Sequence, residues 1–155
     1  NKEIKMIEKS YVMVKPEFAN YRDIINEIRA RLIKNGLSII KEGYVQYDEK
    51  SAKRHYAEHV GKDFYPELEK YITSDKAYGM IVGGENAIAK IRLLVGATKN
   101  PAEGTIRYDI PKELGLPLRV TQNVVHASDS ENSAKKEIEI FENILANTLM
   151  NNLEW

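Results

Sequence analysis

The chain has 155 residues, 43% apolar and 30% charged, with Lys+Arg and Asp+Glu balanced at 23 each. That composition suits one globular domain, expected over 1–155, and excludes a disordered chain. Zero net charge gives no footprint for nucleic acid or an anionic membrane, and the lack of Cys excludes disulfides, zinc ribbons and thiol nucleophiles. No apolar run approaches the ~18–20 residues that span a bilayer. Asn1-Lys2-Glu3-Ile4-Lys5 has no apolar core of a signal peptide, so a cytoplasmic location is expected.

Tyr11-Val12-Met13-Val14 predicts a short buried strand ending at Lys15-Pro16. A helix is expected over 20–35, capped by Asn20, with Ile24, Ile25, Ile28, Leu32 and Ile33 as its apolar stripe and Gly36 as its stop. Leu37 to Tyr47 suits a strand bent near Gly43. Two short helices are expected over 49–59 and 64–73. Ala77 to Val82 predicts another strand, ended by Gly83-Gly84, and a helix over 86–95 follows with Asn86 as its cap. Lys99 to Gln122 holds Pro101, Gly104, Pro111, Gly115 and Pro117 and is expected to be a long, functional loop. Asn123-Val124-Val125 is a further strand, with His126 at its end. A last helix starts near Ser130, with a stripe of Ala134, Ile138 and Phe141 running on to Leu145 and Leu149. Four strands interleaved with helices predict an α+β fold, and the βαββαβ ferredoxin-like antiparallel sheet covered by helices is the natural candidate.

Two patterns around the three histidines could carry chemistry. His55-Tyr56-Ala57-Glu58-His59 matches H-x-x-E-H, in which two histidines one helical turn apart bind zinc and the Glu acts as base. The plainer reading is a solvated helix face. In Asn123-Val124-Val125-His126-Ala127-Ser128-Asp129-Ser130 a histidine leads into a Ser-Asp-Ser helix start, whose free N–H groups attract anions. Glu137 on the following helix could hold one imidazole nitrogen and present the other as nucleophile or base. There is no Walker loop and no G-x-G-x-x-G, so any phosphate must be held largely by side chains such as Lys15, Arg92, Thr98 and Arg107.

Taken together, these segments resemble the nucleoside diphosphate kinase family. The resemblance rests on Tyr11–Glu17, on Tyr56, Glu58-His59 and Phe64-Tyr65, on Gly84–Ile88 and Arg92–Thr98, on Gly104–Arg107 and on Asn123–Ser130 with Glu137. It runs in family order over about 10–141. It implies a γ-phosphate transfer from a nucleoside triphosphate, mainly ATP, to nucleoside diphosphates, in a ping-pong reaction through a phosphohistidine. His126 would be the nucleophile through Nδ1, Glu137 would hold its other nitrogen and Ser128 would bond Glu137. Lys15, Tyr56, Arg92, Thr98, Arg107 and Asn123 would bind phosphates and ribose, and Phe64 would stack on the base opposite Val120 or a neighbouring loop residue. Mg2+ would bridge the phosphates with few or no direct protein ligands. The family also implies dimers assembled into a tetramer or hexamer, with no membrane and no nucleic acid required.

Departures from the family pattern are Glu17 for Asp, Phe18-Ala19-Asn20-Tyr21 for a Gly-rich stretch, Asp63 for Pro, and Tyr108 and Ala127 for Gly. The other readings are a non-catalytic nucleotide-binding oligomer of the same fold, a zinc peptidase on His55, Glu58 and His59, and an RNA-binding ferredoxin-like module.

Overall fold

The computed structural model describes residues 7–116 and 123–153. Four strands, β1 (Ile7–Val14), β2 (Ser38–Val45), β3 (Ala77–Glu85) and β4 (Val125–Ala127), form one antiparallel sheet in the order β2-β3-β1-β4. This is the ferredoxin-like α+β arrangement expected. The helices are α1 (Arg22–Lys34), α2 (Glu49–His55), α3 (Tyr65–Ile72), α4 (Ala87–Val95), α5 (Ile106–Glu113) and α6 (Glu131–Leu153).

Strand alternation divides the core in two. Val12 and Val14 of β1, with Met80 and Val82 of β3, pack against α1, α4 and α5. Tyr11 and Met13, with Ala77 and Ile81, face the other way and pack against Ala52, Tyr56, Ile72, Ile140 and Phe141. β4 follows the same period. Val125 and Ala127 join the first core, which turns His126 toward Tyr11, α2 and α6. Gly79 lies on that second face, and a Cβ there would stand 2.5 Å from the Phe141 ring and 2.7 Å from the Tyr11 hydroxyl. The missing side chain lets α6 seat Phe141 directly on the sheet.

Several boundaries differ from expectation. Asn20 does not cap α1; it closes a 3-10 turn (Phe18–Asn20), its amide donates to Asp75, and Tyr21 takes the cap position without a side-chain bond. The α1 stripe is Ile24, Ile25, Ile28 and Leu32, while Ile33 is largely exposed. The irregularity in β2 falls between Ile39 and Lys41, not at Gly43. Gly83-Gly84 does not end β3, because both glycines pair with β1, Gly83 opposite Lys9 and Gly84 opposite Glu8. Asn86 precedes α4 in a left-handed conformation with no cap bond, and Glu8 accepts from the Ile88 amide instead. His126 lies inside β4 and pairs with Met13, so it does not end a strand.

Two corrections are larger. Part of the expected long loop is α5, whose Ile106 and Ile110, four residues apart, are both buried. The 49–59 segment is not one helix either. α2 stops at His55, and Ala57–His59 is a separate 3-10 turn. Ser130 lies just before α6 as expected, and its hydroxyl accepts from the Ser133 amide. Leu149 is exposed, beyond the end of the α6 stripe. No helix among the described residues is long and apolar enough to cross a membrane.

Candidate active site

Among the described strands β4 pairs with β1 at the edge of the sheet, and its central residue is His126. The imidazole Nε2 lies 2.7 Å from Glu137 Oε1 on α6, and the Ser128 hydroxyl donates to the same oxygen at 2.7 Å. Ser128 is itself fixed, because its Oγ accepts from the Tyr11 amide at 3.2 Å and its amide donates to the Tyr11 carbonyl at 3.1 Å. Glu137 is buried one turn before Phe141, so α6 docking on the sheet fixes the carboxylate. A carboxylate accepting from Nε2–H leaves the lone pair on Nδ1. The His126 side chain keeps 22% of its surface accessible. The site therefore presents an oriented nitrogen nucleophile at a reachable surface.

The residue before β4 bends the chain into this position. Val124 is buried with φ +77°, a conformation that a β-branched residue rarely adopts. Its carbonyl accepts from the Lys15 amide at 2.8 Å, which ties the end of β1 to the entry of β4.

Cations gather close by. Lys15 is buried and donates to Asn123 Oδ1 at 2.7 Å. Burial, and then the Arg107 charge, bring the Lys15 ammonium down to about 7. Arg107 donates to the Gly96 carbonyl at 2.9 Å, the Val125 carbonyl at 2.9 Å and Thr98 Oγ1 at 3.4 Å. It bridges the loop after α4 to the strand carrying His126. Gly96, at φ +93°, lets Thr105 pack directly on this loop, since a Cβ there would stand 2.5 Å from Thr105 Oγ1. Burial and the neighbouring Arg92 lower Arg107 to about 10, so it stays charged. Arg92, Thr98, Arg107 and Ala127 line a groove of about 460 Å³. Positive groups in partly dry surroundings suit polyphosphate oxygens.

Lys15 permits a prediction. Its native value, about 7, lies below the ordinary lysine range. Between the two, the unfolded chain holds a proton that native Lys15 has released, so this group's contribution to stability rises with pH across that window. A bound phosphate restores the charge. Nucleoside diphosphate binding at pH 8 is therefore expected to take up close to one proton more than at pH 6. Calorimetry in buffers of different ionisation heat checks this, and Lys15→Met should reduce the difference to what the diphosphate's own ionisation contributes.

The aromatic residues form a connected run. Phe64, 52% exposed, lies 5.4 Å from His59, His59 lies 6.3 Å from Tyr56, Tyr56 lies 4.5 Å from His55, and His55 lies 4.7 Å from His126. Tyr56 and Phe64 thus stand along one path from the nucleophile to an open aromatic face. Val120 lies outside the described residues.

The H-x-x-E-H spacing does not form a metal site. His55 ends α2 and is 3% exposed, whereas His59 sits in the next turn with Nδ1 3.2 Å from Lys62 and Nε2 3.6 Å from Glu58. The solvated-face reading fails for His55 as well. Ligand atoms of His55, His126 and Glu137 do lie within 4.8 Å of one another, but Glu137 Oε1 already takes two hydrogen bonds, one of them shared with His126.

Sequence reasoning missed His55 as a neighbour of the nucleophile. The signal available was its place one residue before Tyr56, at the end of a short amphipathic segment.

A four-stranded ferredoxin-like sheet that presents a carboxylate-held histidine among buried cations defines a phosphoryl-transfer protein. The model of the nucleoside diphosphate kinase family matches residues 8–143. A nucleoside diphosphate kinase of Methanobrevibacter smithii is 45% identical over 141 residues, covering 89% of each chain. One of Archaeoglobus fulgidus is 44% identical over 138 residues, 87% of this chain and 86% of the relative. Among solved structures, a halophilic nucleoside diphosphate kinase from Halobacterium salinarum in complex with CDP superposes with a TM-score of 0.79, at 35% identity and 88% coverage of each chain. The chain belongs to the nucleoside diphosphate kinase family.

Proposed function

We propose that this kinase carries the phosphoryl group on His126. The observation that supports the reading is the 2.7 Å contact of Nε2 with Glu137, which leaves Nδ1 as the free lone pair. Nδ1 attacks the γ-phosphorus of a nucleoside triphosphate. The N–P bond forms as the bond to the bridging oxygen breaks, and the nucleoside diphosphate leaves with that electron pair. A second nucleoside diphosphate then takes the phosphoryl group by the reverse step. Lys15, Arg92 and Arg107 neutralise the oxygen charge, while Thr98 and Asn123 orient the phosphates and ribose. Tyr56, whose phenol burial keeps protonated, donates near the sugar and phosphates. Phe64 offers its open face to the base. Stacking reads no base edge, so several bases are accepted.

The described groups around the phosphates are cations, amides and hydroxyls, and Glu137 is occupied. This donor set fits a Mg2+ carried on the nucleotide and its waters rather than in a protein cage. When bound, the ion supplies further charge neutralisation. The chain acts as one domain in the cytoplasm, as a homo-oligomer built from dimers, either a tetramer or a hexamer. The exposed Ile40 and Tyr44 on the edge strand β2 support self-association.

The test is incubation with γ-labelled ATP and Mg2+ without acceptor, then addition of GDP. Acid-labile, alkali-stable label on the protein that moves to GTP is expected. An unlabelled protein that still binds ATP would overturn the reading.

A further inference from the structure

Among the described residues, the His126 side chain makes one hydrogen bond, to Glu137, and a single bond leaves the ring free to swing about its own axis. Packing must set the ring plane. Two rings lie against it, His55 at 4.7 Å and 68° and Tyr11 at 6.5 Å and 52°, so His55 is the nearer wall. His55 is itself boxed in by Tyr56 at 4.5 Å, Tyr47 at 5.6 Å and Tyr11 at 6.2 Å. The box is rigid, because the Tyr11 and Tyr47 hydroxyls share a 2.7 Å hydrogen bond. Among the described residues, neither His55 nitrogen has a hydrogen-bond partner, although both are buried. Two orphaned nitrogens are an unfavourable way to fill space, which sets this ring apart from ordinary core packing.

We propose that His55 is a positioning residue whose ring fixes the plane of the His126 imidazole and so aims Nδ1 at the phosphorus. The inference rests on the kinase reading above. The groups facing His55 are His126 on β4, Tyr11 on β1, Tyr47 and Tyr56 flanking α2, and Glu137 on α6, with Lys15 and Lys136 acting over longer range. Burial first, and then the His126, Lys136 and Lys15 charges, hold the His55 imidazole well below its ordinary value. The wall therefore stays neutral and adds no charge beside the nucleophile. His55 gains and loses no bond in the transfer.

Single-turnover labelling from γ-labelled ATP tests this on the intact chain. His55→Ala is expected to slow labelling ~10- to 100-fold, the cost of a misaimed nucleophile, with ADP affinity within about twofold of the parent. His55→Phe, which restores a ring, should recover most of that rate even if its Tm is no higher. Nitrogen NMR of the histidines adds a readout independent of turnover. The parent should show one sharp His126 ring signal in the Nε2–H tautomer that Glu137 sets, and His55→Ala should keep that tautomer with the signal broadened by ring motion. Parental labelling in His55→Ala overturns the inference, as does a His55→Phe protein that stays slow with its His126 ring signal as sharp as the parent's. Should His55→Ala fail to fold, His55→Phe and its spectrum decide by the same outcomes. A parent that takes no label overturns the kinase reading and this inference together, whereas a labelled parent with an equally fast His55→Ala overturns this inference alone.

Discussion

His126→Ala is expected to bind nucleoside diphosphates within a few-fold of the parent and to lose at least ~10⁴-fold in phosphate transfer. Binding survives because the cations are held without the imidazole. Lys15 is anchored by Asn123, and Arg107 by the Gly96 and Val125 carbonyls. Transfer fails because Nδ1 is the atom that accepts the phosphoryl group. No neighbouring group replaces it, since Glu137 is buried and engaged by Ser128. Rapid-quench labelling and GTP formation measure the loss, and calorimetry measures the retained binding. A variant that still converts GDP to GTP without a labelled protein would mean direct transfer between nucleotides and would sink the phosphohistidine route.

Glu137→Gln should cost ~10²-fold in labelling rate, with little change in nucleotide affinity. The carboxylate accepts from both Ser128 Oγ and His126 Nε2 on one oxygen. Gln keeps the size but carries a donor in place of one oxygen. If its amide turns toward His126, Nε2 becomes an acceptor and the proton moves to Nδ1, which abolishes the nucleophile in that tautomer. If its carbonyl stays, the tautomer survives but the negative charge that steadies the imidazolium-like transition state is gone. Either way the chemical step slows while the phosphate-binding cations are untouched. Equal losses in affinity and rate would show instead that Glu137 holds the fold of the cleft.

Much of this organisation was legible in the residues themselves. The β1 run, the α1 stripe and the His126–Glu137 pairing follow from period and spacing. What failed did so for identifiable reasons. The i, i+4 spacing of His55 and His59 carries meaning only within an unbroken helix, and α2 ends at His55. Pro111 and the flanking Gly104 and Gly115 disguised α5, yet a proline late in a short helix forfeits a single bond, and burial of Ile106 and Ile110 outweighs that loss. Gly83-Gly84 looked like a strand end because glycine breaks isolated strands, whereas here β1 supplies partners for both. Asn20 was a plausible cap, but the turn before α1 used it for Asp75. The positive φ of Val124 left no trace in residue type, since valine is among the last residues a sequence would assign there.

The path Tyr11 amide, Ser128 hydroxyl, Glu137 carboxylate, His126 imidazole gives the nucleophile a mechanical ancestry. The grip on its Nε2 is tied to β1, a strand flanked on both sides within the sheet, as well as to the short edge strand that bears it. Thermal excursions of β4 are thereby damped at the one atom that matters. Damage to the centre of the sheet, far from any nucleotide, would surface first as poor turnover by a protein that still binds its substrates well.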